Sequence, residues 1–318
     1  MRLVPILFPC DLGHSDHGRY VLGGERGAPD VLLDVLESEG VRFARPIAVP
    51  VESPEAPDPE DGFLKFDAAL ARATTALAAA VEQANADADF PVILGGDHTG
   101  LLGHVLGHSA RHKAGVGLAV LADARLDLAR PALPVYDDTK RLAKDAEVTE
   151  TGNAHRMVLA GALRLLPEAD SALGAAMKAS AVRVSQTSVV GVRGGETAQV
   201  RSSERRASLE VWRMERLELD GESEYRSMLT RHLSEGPIAL SLDVSGLDPD
   251  LMTAVRDPLP DGLDWTFLKR TLEQCIPHVD RLLGLDICQL DPTRDDAHKG
   301  AMIRFAETMA PFLKRIAR

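Results

Sequence analysis

One stretch of the chain decides the fold, and it reads Gly117-Leu118-Ala119-Val120-Leu121-Ala122-Asp123-Ala124-Arg125-Leu126-Asp127. Its first part is an apolar run whose length and composition predict a buried parallel strand. Two aspartates, Asp123 and Asp127, close the stretch. Because ligands of open α/β sheets bind at the carboxyl ends of strands, these two acids are candidates for a functional site.

The same arrangement, an apolar run followed by polar side chains, occurs twice more. Residues 91–94 lead into Gly95-Gly96-Asp97-His98, and residues 238–242 lead into Asp243. Imidazole nitrogens and carboxylate oxygens are ligands for divalent metal ions, so three such strand ends favour a metal site. Arg125 is the unusual member of this group, because an arginine stays protonated and cannot ligate a metal.

Predicted strands and helices alternate along the whole chain. This pattern indicates an α/β fold with parallel strand pairs and right-handed crossovers. The strands are expected at 3–8, 42–51, 91–94, 117–122, 188–192, 238–242 and 281–286. The helices are expected at 29–39, 64–86, 99–111, 157–166, 223–234, 265–278 and 301–317. No internal repeat or long linker divides the 318 residues, so we expect one domain.

The overall composition narrows the classes of function. A net charge of -12 disfavours a general nucleic-acid or anionic-membrane surface. No apolar run approaches the ~20 residues of a membrane helix, and the first residues do not form a secretory signal. Cys10, Cys275 and Cys288 lack metal-finger spacing and are expected to be buried thiols. We therefore expect a cytoplasmic protein without nucleic-acid or membrane partners.

A series of short motifs carries a resemblance to a known family. They are Gly27-Ala28-Pro29, Gly95-Gly96-Asp97-His98, Asp123-Ala124-Arg125-Leu126-Asp127, Thr151-Gly152-Asn153-Ala154-His155, Gly191-Val192-Arg193, Ser241-Leu242-Asp243-Val244-Ser245-Gly246-Leu247-Asp248-Pro249 and Gly284-Leu285-Asp286-Ile287-Cys288-Gln289. In this order they resemble the arginase/agmatinase family, the ureohydrolases. The resemblance implies a three-layer α/β/α fold with a mostly parallel sheet, and a single arginase-like domain over residues 1–318.

The resemblance also implies a metal site that is changed from the family pattern. In the family, two manganese ions supply a hydroxide that attacks a guanidinium or amidine carbon. The ligands of one metal position are all present here, as His98, Asp123, Asp127 and Asp243. At the other position the corresponding residues are Arg125 and Ser245. We therefore expect one divalent ion, manganese foremost, and no second metal. One hypothesis is that the Arg125 guanidinium fills the vacated space and neutralises Asp123 and Asp243.

The remaining site residues are assigned by the same resemblance. His155 corresponds to the proton-shuttling histidine, and Asp243 serves the nucleophile as a shared metal ligand. Substrate contacts are expected from Asn153, Glu196, Gln289 and Arg125. Gln289 stands where the family has a glutamate that faces the guanidinium, and this change removes a charge-assisted hydrogen bond. The segment 128–152 is longer than the family's loop, so the entrance to the site is expected to differ.

Two interpretations of the function stay open. In the first, the chain lacks ordinary dimanganese arginase or agmatinase activity and is a non-catalytic homologue with a regulatory, binding or assembly role. In the second, it is an altered hydrolase that cleaves a linear C–N bond in a small guanidino or amidino compound with one metal. The family implies a homo-oligomer, a trimer or hexamer, and assembly with an active homologue is a further option.

Other histidines are interpreted without a catalytic role. His104, His108 and His112 repeat at the spacing of one helix face, and a polar helix face is expected there. His14 and His17 lie in an early glycine-bearing loop. A place at the mouth of a pocket is one interpretation of this pair, and simple exposure to solvent is the favoured one.

Overall fold

The core of the molecule is one parallel sheet. A computed structural model describes residues 1–14, 23–52, 64–129, 152–167, 171–194, 198–296 and 300–318. The strands are β1 (Leu3–Phe8), β2 (Ile47–Ala48), β3 (Phe90–Gly95), β4 (Val116–Val120), β5 (Val182–Val192), β6 (Glu210–Arg213), β7 (Ile238–Asp243) and β8 (Leu282–Cys288). They form an eight-stranded sheet in the order β2-β1-β3-β8-β7-β4-β5-β6. Every neighbouring pair is parallel, as the alternating pattern predicted.

Helices cover both faces of this sheet. They are α1 (Ala28–Ser38), α2 (Asp67–Ala86), α3 (Gly100–Ser109), α4 (Val158–Ala162), α5 (Ala172–Met177), α6 (Ala198–Ala207), α7 (Met214–Arg216), α8 (Glu222–Glu235), α9 (Trp265–Cys275) and α10 (Gly300–Ile316). Helices α1, α8, α9 and α10 share one apolar cluster with the sheet. Helices α2 to α5 share a second cluster. The three-layer α/β/α prediction is therefore confirmed.

The central strands are buried on both faces, which explains their unbroken apolar sequences. All described side chains of β3, β4 and β7 are buried. A strand covered by helices on both sides has no solvent face, so it needs no alternation of apolar and polar residues. The helices instead show one apolar face: in α9 the buried side chains include Phe267, Leu268 and Leu272. The side chain of Asp264 caps this helix by accepting a hydrogen bond from Phe267 N at 2.7 Å.

The strand order brings distant parts of the sequence to one edge of the sheet. Strands β3, β8, β7 and β4 are consecutive in the sheet. His98, Gln289 and Asp123 follow the carboxyl ends of β3, β8 and β4, and Asp243 is the last residue of β7. Because parallel strands all end at the same edge, these side chains are placed beside one another.

The structure differs from the predicted elements at the far edge of the sheet. Strand β5 begins at Val182, ahead of the predicted residue 188, and β6 was not predicted at all. The β6 segment is only four residues long and contains charged residues, so its sequence carries a weak strand signal. Burial of Trp212 against Tyr225 and pairing with β5 hold it in the sheet.

Several other expectations concern exposure and the chain's irregular segments. Cys10, Cys275 and Cys288 are all buried and unbridged, as predicted. Within the described ranges, no helix is both long and apolar enough to cross a membrane. The proline- and acid-rich segment 53–62 lies outside the described residues, and so does most of the 128–152 segment.

Candidate functional site

Four side chains meet at the carboxyl edge of the sheet and form what we call the acidic cluster: His98, Asp123, Asp127 and Asp243. The Nδ1 atom of His98 lies 3.0 Å from Asp127 Oδ2, 3.1 Å from Asp243 Oδ2 and 3.8 Å from Asp123 Oδ2. One ligand atom from each residue lies within 4.8 Å of all the others. All four residues are buried. The structure thus brings together the four residues that the sequence proposed as metal ligands.

Local turns aim the carboxylates of the acidic cluster at His98. Asp123 Oδ1 accepts a hydrogen bond from Arg125 N at 2.9 Å, and Asp243 Oδ1 accepts one from Ser245 N at 2.8 Å. In each case the chain turns directly after a strand, and the carboxylate satisfies a backbone N–H two residues on. The Oδ2 atom of each aspartate is then left to face the imidazole.

Arg193 fixes the segment that follows β7. Its guanidinium donates to the carbonyl oxygens of Ser245, Gly246 and Leu247 at 2.9 to 3.0 Å. It also donates to Pro260 O and Leu259 O, both at 2.8 Å. A single arginine therefore ties two loops together behind Asp243, because its planar fork offers five donors.

A chain of buried hydrogen bonds leads away from the acidic cluster. His98 Nε2 lies 3.3 Å from Ser241 Oγ, which donates to Asp286 Oδ1 at 2.9 Å. Asp286 Oδ2 lies 2.8 Å from His104 Nδ1. Because Ser241 donates to the carboxylate, its oxygen is the acceptor for the N–H of His98 Nε2. This leaves Nδ1 of His98 as the nitrogen that can hold a ligand, with its orientation fixed from behind.

The histidines of α3 do not form the polar helix face that the sequence suggested. His104 and His108 are both fully buried, with ring centroids 4.9 Å apart. His104 is held by Asp286, and His108 Nδ1 lies 3.0 Å from Asn85 Nδ2. Only His112 at the end of the helix is half-buried. The prediction was wrong because the face of α3 that carries these residues packs on β8 and α2, where each buried imidazole has a specific partner.

Burial and mutual repulsion set the protonation of the acidic cluster. Burial raises the pKa of Asp123 well above its usual value, and Asp127 and Asp243 add to the rise. Burial likewise raises the pKa of Asp127, against the opposing effect of His98. Burial alone would lower the pKa of His98, but Asp243, Asp127 and Asp123 together raise it well above its usual value. A buried imidazole ringed by carboxylates is thus held as a cation when no other cation is present.

The donor set of the acidic cluster suits a divalent metal ion. One imidazole nitrogen and three carboxylate oxygens match the preferences of manganese and zinc, and the excess of acid favours a dication. The same chemistry is lacking beside it, where Arg125 and Ser245 stand. Arg125 offers only donors and the Ser245 hydroxyl carries no charge, so neither residue supplies an imidazole or carboxylate ligand.

Arg125 takes a different position from the one the sequence suggested. Its Nη1 pairs with Asp257 Oδ2 at 2.8 Å, and its side chain is 29% exposed. The contact between Arg125 and Asp123 is made by the backbone N–H, and the guanidinium forms no ion pair with Asp123 or Asp243 among the contacts of the described residues. The hypothesis that this guanidinium neutralises the two carboxylates was therefore wrong. The sequence held no signal for Asp257 as a closer partner, because the two residues are far apart along the chain.

A narrow cleft opens above the acidic cluster. Its lining combines acids, cations and two imidazoles. The lining side chains are His14, Asp123, Arg125, Asp127, His155, Arg156, Asp243, Ser245, Asp257 and Gln289, together with Ala124. His155, Arg125 and Gln289 are thus placed together in this cleft, as the sequence suggested.

His155 is held as a neutral base at the wall of the cleft. Its Nδ1 lies 2.6 Å from Gly13 O. A carbonyl oxygen can only accept, so Nδ1 carries the proton and Nε2 keeps its lone pair. Burial lowers the pKa of His155 well below its usual value, and His14 and Arg156 lower it further.

The other proposed substrate contacts have different outcomes. Gln289 is buried in the cleft wall and adopts a left-handed backbone conformation with φ of 67°. Asn153 is buried outside the cleft lining, and its Oδ1 accepts a hydrogen bond from Lys65 Nζ at 3.2 Å. Glu196 lies outside the described residues.

Sequence reasoning missed Arg156 and Asp257 as cleft residues, and it favoured the wrong interpretation of His14. Arg156 directly follows His155, and this adjacency was the available signal for it. His14 was expected to be solvent-exposed, but it is only 6% exposed and lines the cleft. That expectation was wrong because the buried carboxylate of Glu25 draws the imidazole inward, with Nδ1 3.0 Å from Glu25 Oε1. His17 lies outside the described residues.

The fold and the acidic cluster define a three-layer α/β protein with a candidate metal centre at the carboxyl edge of its sheet. A sequence model described as the arginase family matches residues 6–311, and the chain therefore belongs to this family. An arginase from Bacillus caldovelox is 25% identical over 251 residues, which are 77% of this chain and 76% of that protein.

Solved structures agree on the fold. Arginase from Bacillus cereus superposes with a TM-score of 0.80 at 20% identity, over 98% of each chain. Proclavaminate amidino hydrolase from Streptomyces clavuligerus superposes with a TM-score of 0.68 at 16% identity, over 100% of this chain and 93% of that one. The resemblance that the motifs suggested is confirmed.

Proposed function

We propose that this chain is an altered hydrolase of the arginase family that binds one divalent metal ion, manganese foremost, at His98, Asp123, Asp127 and Asp243. The observation that carries the proposal is the convergence of these four ligand atoms within 4.8 Å in a buried position at the floor of a cleft. A bound divalent ion would lower the pKa of a water molecule and so supply hydroxide near neutral pH. Asp243 holds its place through Ser245 N and serves this nucleophile.

His155 is the proton carrier in this proposal. Its Nδ1 is committed to Gly13 O, so the Nε2 lone pair is available to a proton from water in the cleft. Its lowered pKa keeps the imidazole neutral at physiological pH, and a neutral imidazole is the form that a general base requires.

The substrate we propose is a small guanidino or amidino compound with a linear C–N bond, other than arginine or agmatine. Gln289 offers no negative charge to a guanidinium. We propose a cytoplasmic location and a homo-oligomer, a trimer or hexamer, because both accord with the family.

A second candidate is a non-catalytic role in regulation, binding or assembly with an active homologue. The observation that favours it is the Arg125–Asp257 ion pair, because both residues line the cleft and their contact narrows it. This candidate predicts a bound metal ion without turnover.

Elemental analysis tests the proposal first. The purified protein is incubated separately with manganese, nickel and zinc, and the bound metal is counted after desalting. We expect near one equivalent in the wild type and none in Asp127→Asn, which keeps the shape of the side chain but removes a ligand charge. Asp261→Asn is the control, because it removes an exposed acid that lies outside the cleft lining.

Turnover then separates the two candidates. Release of urea or ammonia from a panel of guanidines and amidines, lost in Asp127→Asn, supports the hydrolase. Bound metal without turnover on the whole panel supports the non-catalytic candidate. The hydrolase proposal fails if no metal ion is retained under any of the three conditions.

A further inference from the structure

A second imidazole lies beside His155 in the cleft, and no motif assigns it a role. The ring centroids of His14 and His155 are 4.1 Å apart, with an angle of 31° between their planes. Both residues line the cleft. The backbone carbonyl of His14 also accepts a hydrogen bond from Arg256 Nη1 at 2.9 Å.

A buried carboxylate orients this second ring. His14 Nδ1 lies 3.0 Å from Glu25 Oε1, and Glu25 is fully buried. The other carboxylate oxygen, Oε2, lies 3.5 Å from Arg256 Nη1. A carboxylate only accepts hydrogen bonds, so Nδ1 of His14 carries a proton and Nε2 is the atom left for the cleft. The arrangement is the carboxylate–imidazole pair that positions acid–base histidines in many hydrolases.

We propose that His14, oriented by Glu25, is a catalytic acid of this cleft that gives a proton from Nε2 to the leaving nitrogen, while His155 accepts a proton from the attacking water. The inference deepens the hydrolase function proposed above and rests on it. In this step a C–O bond forms from water and the C–N bond breaks. The proton of the water passes to His155 Nε2, and the leaving nitrogen takes a proton from His14. One proton must then return from His155 to His14 before the next turnover.

The electrostatic surroundings support different roles for the two rings, His14 as the acid and His155 as the base. Burial alone would lower the pKa of His14, but Glu25 raises it above the usual value, against a smaller opposing effect of Arg256 and with a small contribution from Asp97. Burial lowers the pKa of His155, and His14, Arg156 and Arg125 add to this. Two neighbouring groups whose surroundings separate their pKa values in this way are suited to act as an acid and a base.

Nuclear magnetic resonance of the protein labelled with ¹⁵N-histidine tests this assignment without any substrate. The metal-loaded full chain is titrated with acid and base, and the signals are assigned with His14→Asn and His155→Asn. We expect His14 to keep its second proton to higher pH than His155. In Glu25→Gln we expect the His14 titration to move to lower pH. If His14 loses its proton at a lower pH than His155 in the wild type, the inference is overturned.

Kinetics on any amidine or guanidine that the protein hydrolyses give a second test. An acid must be protonated to act, so the rate falls as the pH rises through the pKa of His14. A base must be neutral, so the rate rises as the pH rises through the pKa of His155. We expect His14→Asn to lower kcat about 100-fold or more, with little change in KM, and to abolish the alkaline fall. Asn retains an N–H donor for Glu25, so the fold should be kept.

Two comparisons distinguish a failure of the proposed acid role of His14 from a failure of the hydrolase proposal. His112→Asn, in a half-buried position at the end of α3, should leave the pH profile unchanged. An unchanged kcat and alkaline limb in His14→Asn, with turnover intact, would refute the role of His14 and leave the hydrolase standing. Absence of metal would refute the hydrolase, while the order of the two titrations would still decide the assignment of the two rings.

Discussion

Arg125 pairs with Asp257 at 2.8 Å, and both residues line the cleft together with the carboxylates of the acidic cluster. The family resemblance places Arg125 where a histidine ligand of the second metal would stand. The guanidinium forms no ion pair with Asp123 or Asp243 among the described residues, so a salt bridge from Arg125 does not neutralise the acidic cluster. In the one-metal proposal, the absence of a second ion rests on the identity of Arg125 and Ser245, and it should be reversible by substitution.

Restoring those two side chains should restore a second metal. In Arg125→His with Ser245→Asp, we expect the bound manganese to rise from near one to near two equivalents per chain by elemental analysis. The double variant removes a fixed cation and adds an imidazole and a carboxylate beside Asp123 and Asp243, which are the ligand types that a second ion needs. Each single variant should gain less than the pair. A count that stays at one in the double variant would show that the surrounding backbone also excludes the second ion.

Removing Asp257 should affect metal affinity more than stability. In Asp257→Asn we expect the free energy of unfolding to change by less than about 1 kcal/mol, because the carboxylate is half-exposed and exposed ion pairs contribute little. The unpaired Arg125 charge should weaken binding of manganese a few-fold, and the effect should shrink at high ionic strength. Isothermal titration calorimetry at two salt concentrations measures the manganese affinity and its dependence on ionic strength. Asp261→Asn, which removes an exposed acid outside the cleft lining, is the control. Tighter binding in Asp257→Asn would contradict the expectation.

The hydrogen bond behind His98 should contribute to metal affinity. Ser241→Ala removes the hydroxyl that accepts from His98 Nε2 and donates to Asp286. Loss of such an outer partner lowers metal affinity by about 10- to 100-fold in comparable sites. We expect a loss of that size for manganese, measured by competition with a chelating dye. Ser188→Ala is matched to it, because Ser188 on β5 is also a buried serine of the sheet, and its hydroxyl has no hydrogen-bond partner among the described residues. Equal affinities of the two variants would remove Ser241 from this role.

Asp11 should make the protein less stable as the pH rises. Burial raises its pKa from 3.8 to about 6, against the opposing effect of Arg26. The folded state thus holds the proton more tightly than the unfolded state. The contribution of protonated Asp11 to the free energy of unfolding is full below about pH 4, and it is lost as the pH rises through about 6.

Asp11→Asn should remove this dependence on pH, since an amide does not ionise. We expect the variant to be more stable than the wild type at pH 8, by at most about 3 kcal/mol, and the difference to shrink at pH 5. The loss of the contact with Arg26 at 3.4 Å reduces the gain. Urea unfolding at pH 5 and pH 8 measures the difference in the free energy of unfolding between the variant and the wild type. Asp34→Asn on the exposed side of α1 should show no such difference between the two pH values.

The sequence predicted those parts of the molecule whose cause is local. Strands β3, β4 and β7 are apolar because both of their faces are covered, and this apolar composition can be recognised from the sequence alone. The acids after them could be placed together because parallel strands end at one edge. The β6 strand was missed because its place in the sheet depends on Trp212 and on pairing with β5.

The parts of the site that could not be predicted depend on partners far away in sequence. The burial of His104 follows from Asp286, which lies on another strand. The orientation of Arg125 follows from Asp257. His14 looked like an exposed loop residue because the buried carboxylate that holds it, Glu25, carries no apolar or motif signal in the sequence. In each case the residue type was visible from the sequence, but its partner was not.

The order of the strands also bears on how the protein folds. His98 follows β3, and Asp243 is the last residue of β7. These two strands are distant in the chain, and in the sheet they are joined through β8, the last of the described strands to be synthesised. The acidic cluster is therefore complete only when the most non-local pairings have formed, and such pairings form late. A metal ion that binds there should slow unfolding and leave the rate of refolding nearly unchanged. Stopped-flow folding and unfolding kinetics with and without manganese would show a change in the unfolding rate alone. The ion would then stabilise the finished sheet without taking part in the folding nucleus.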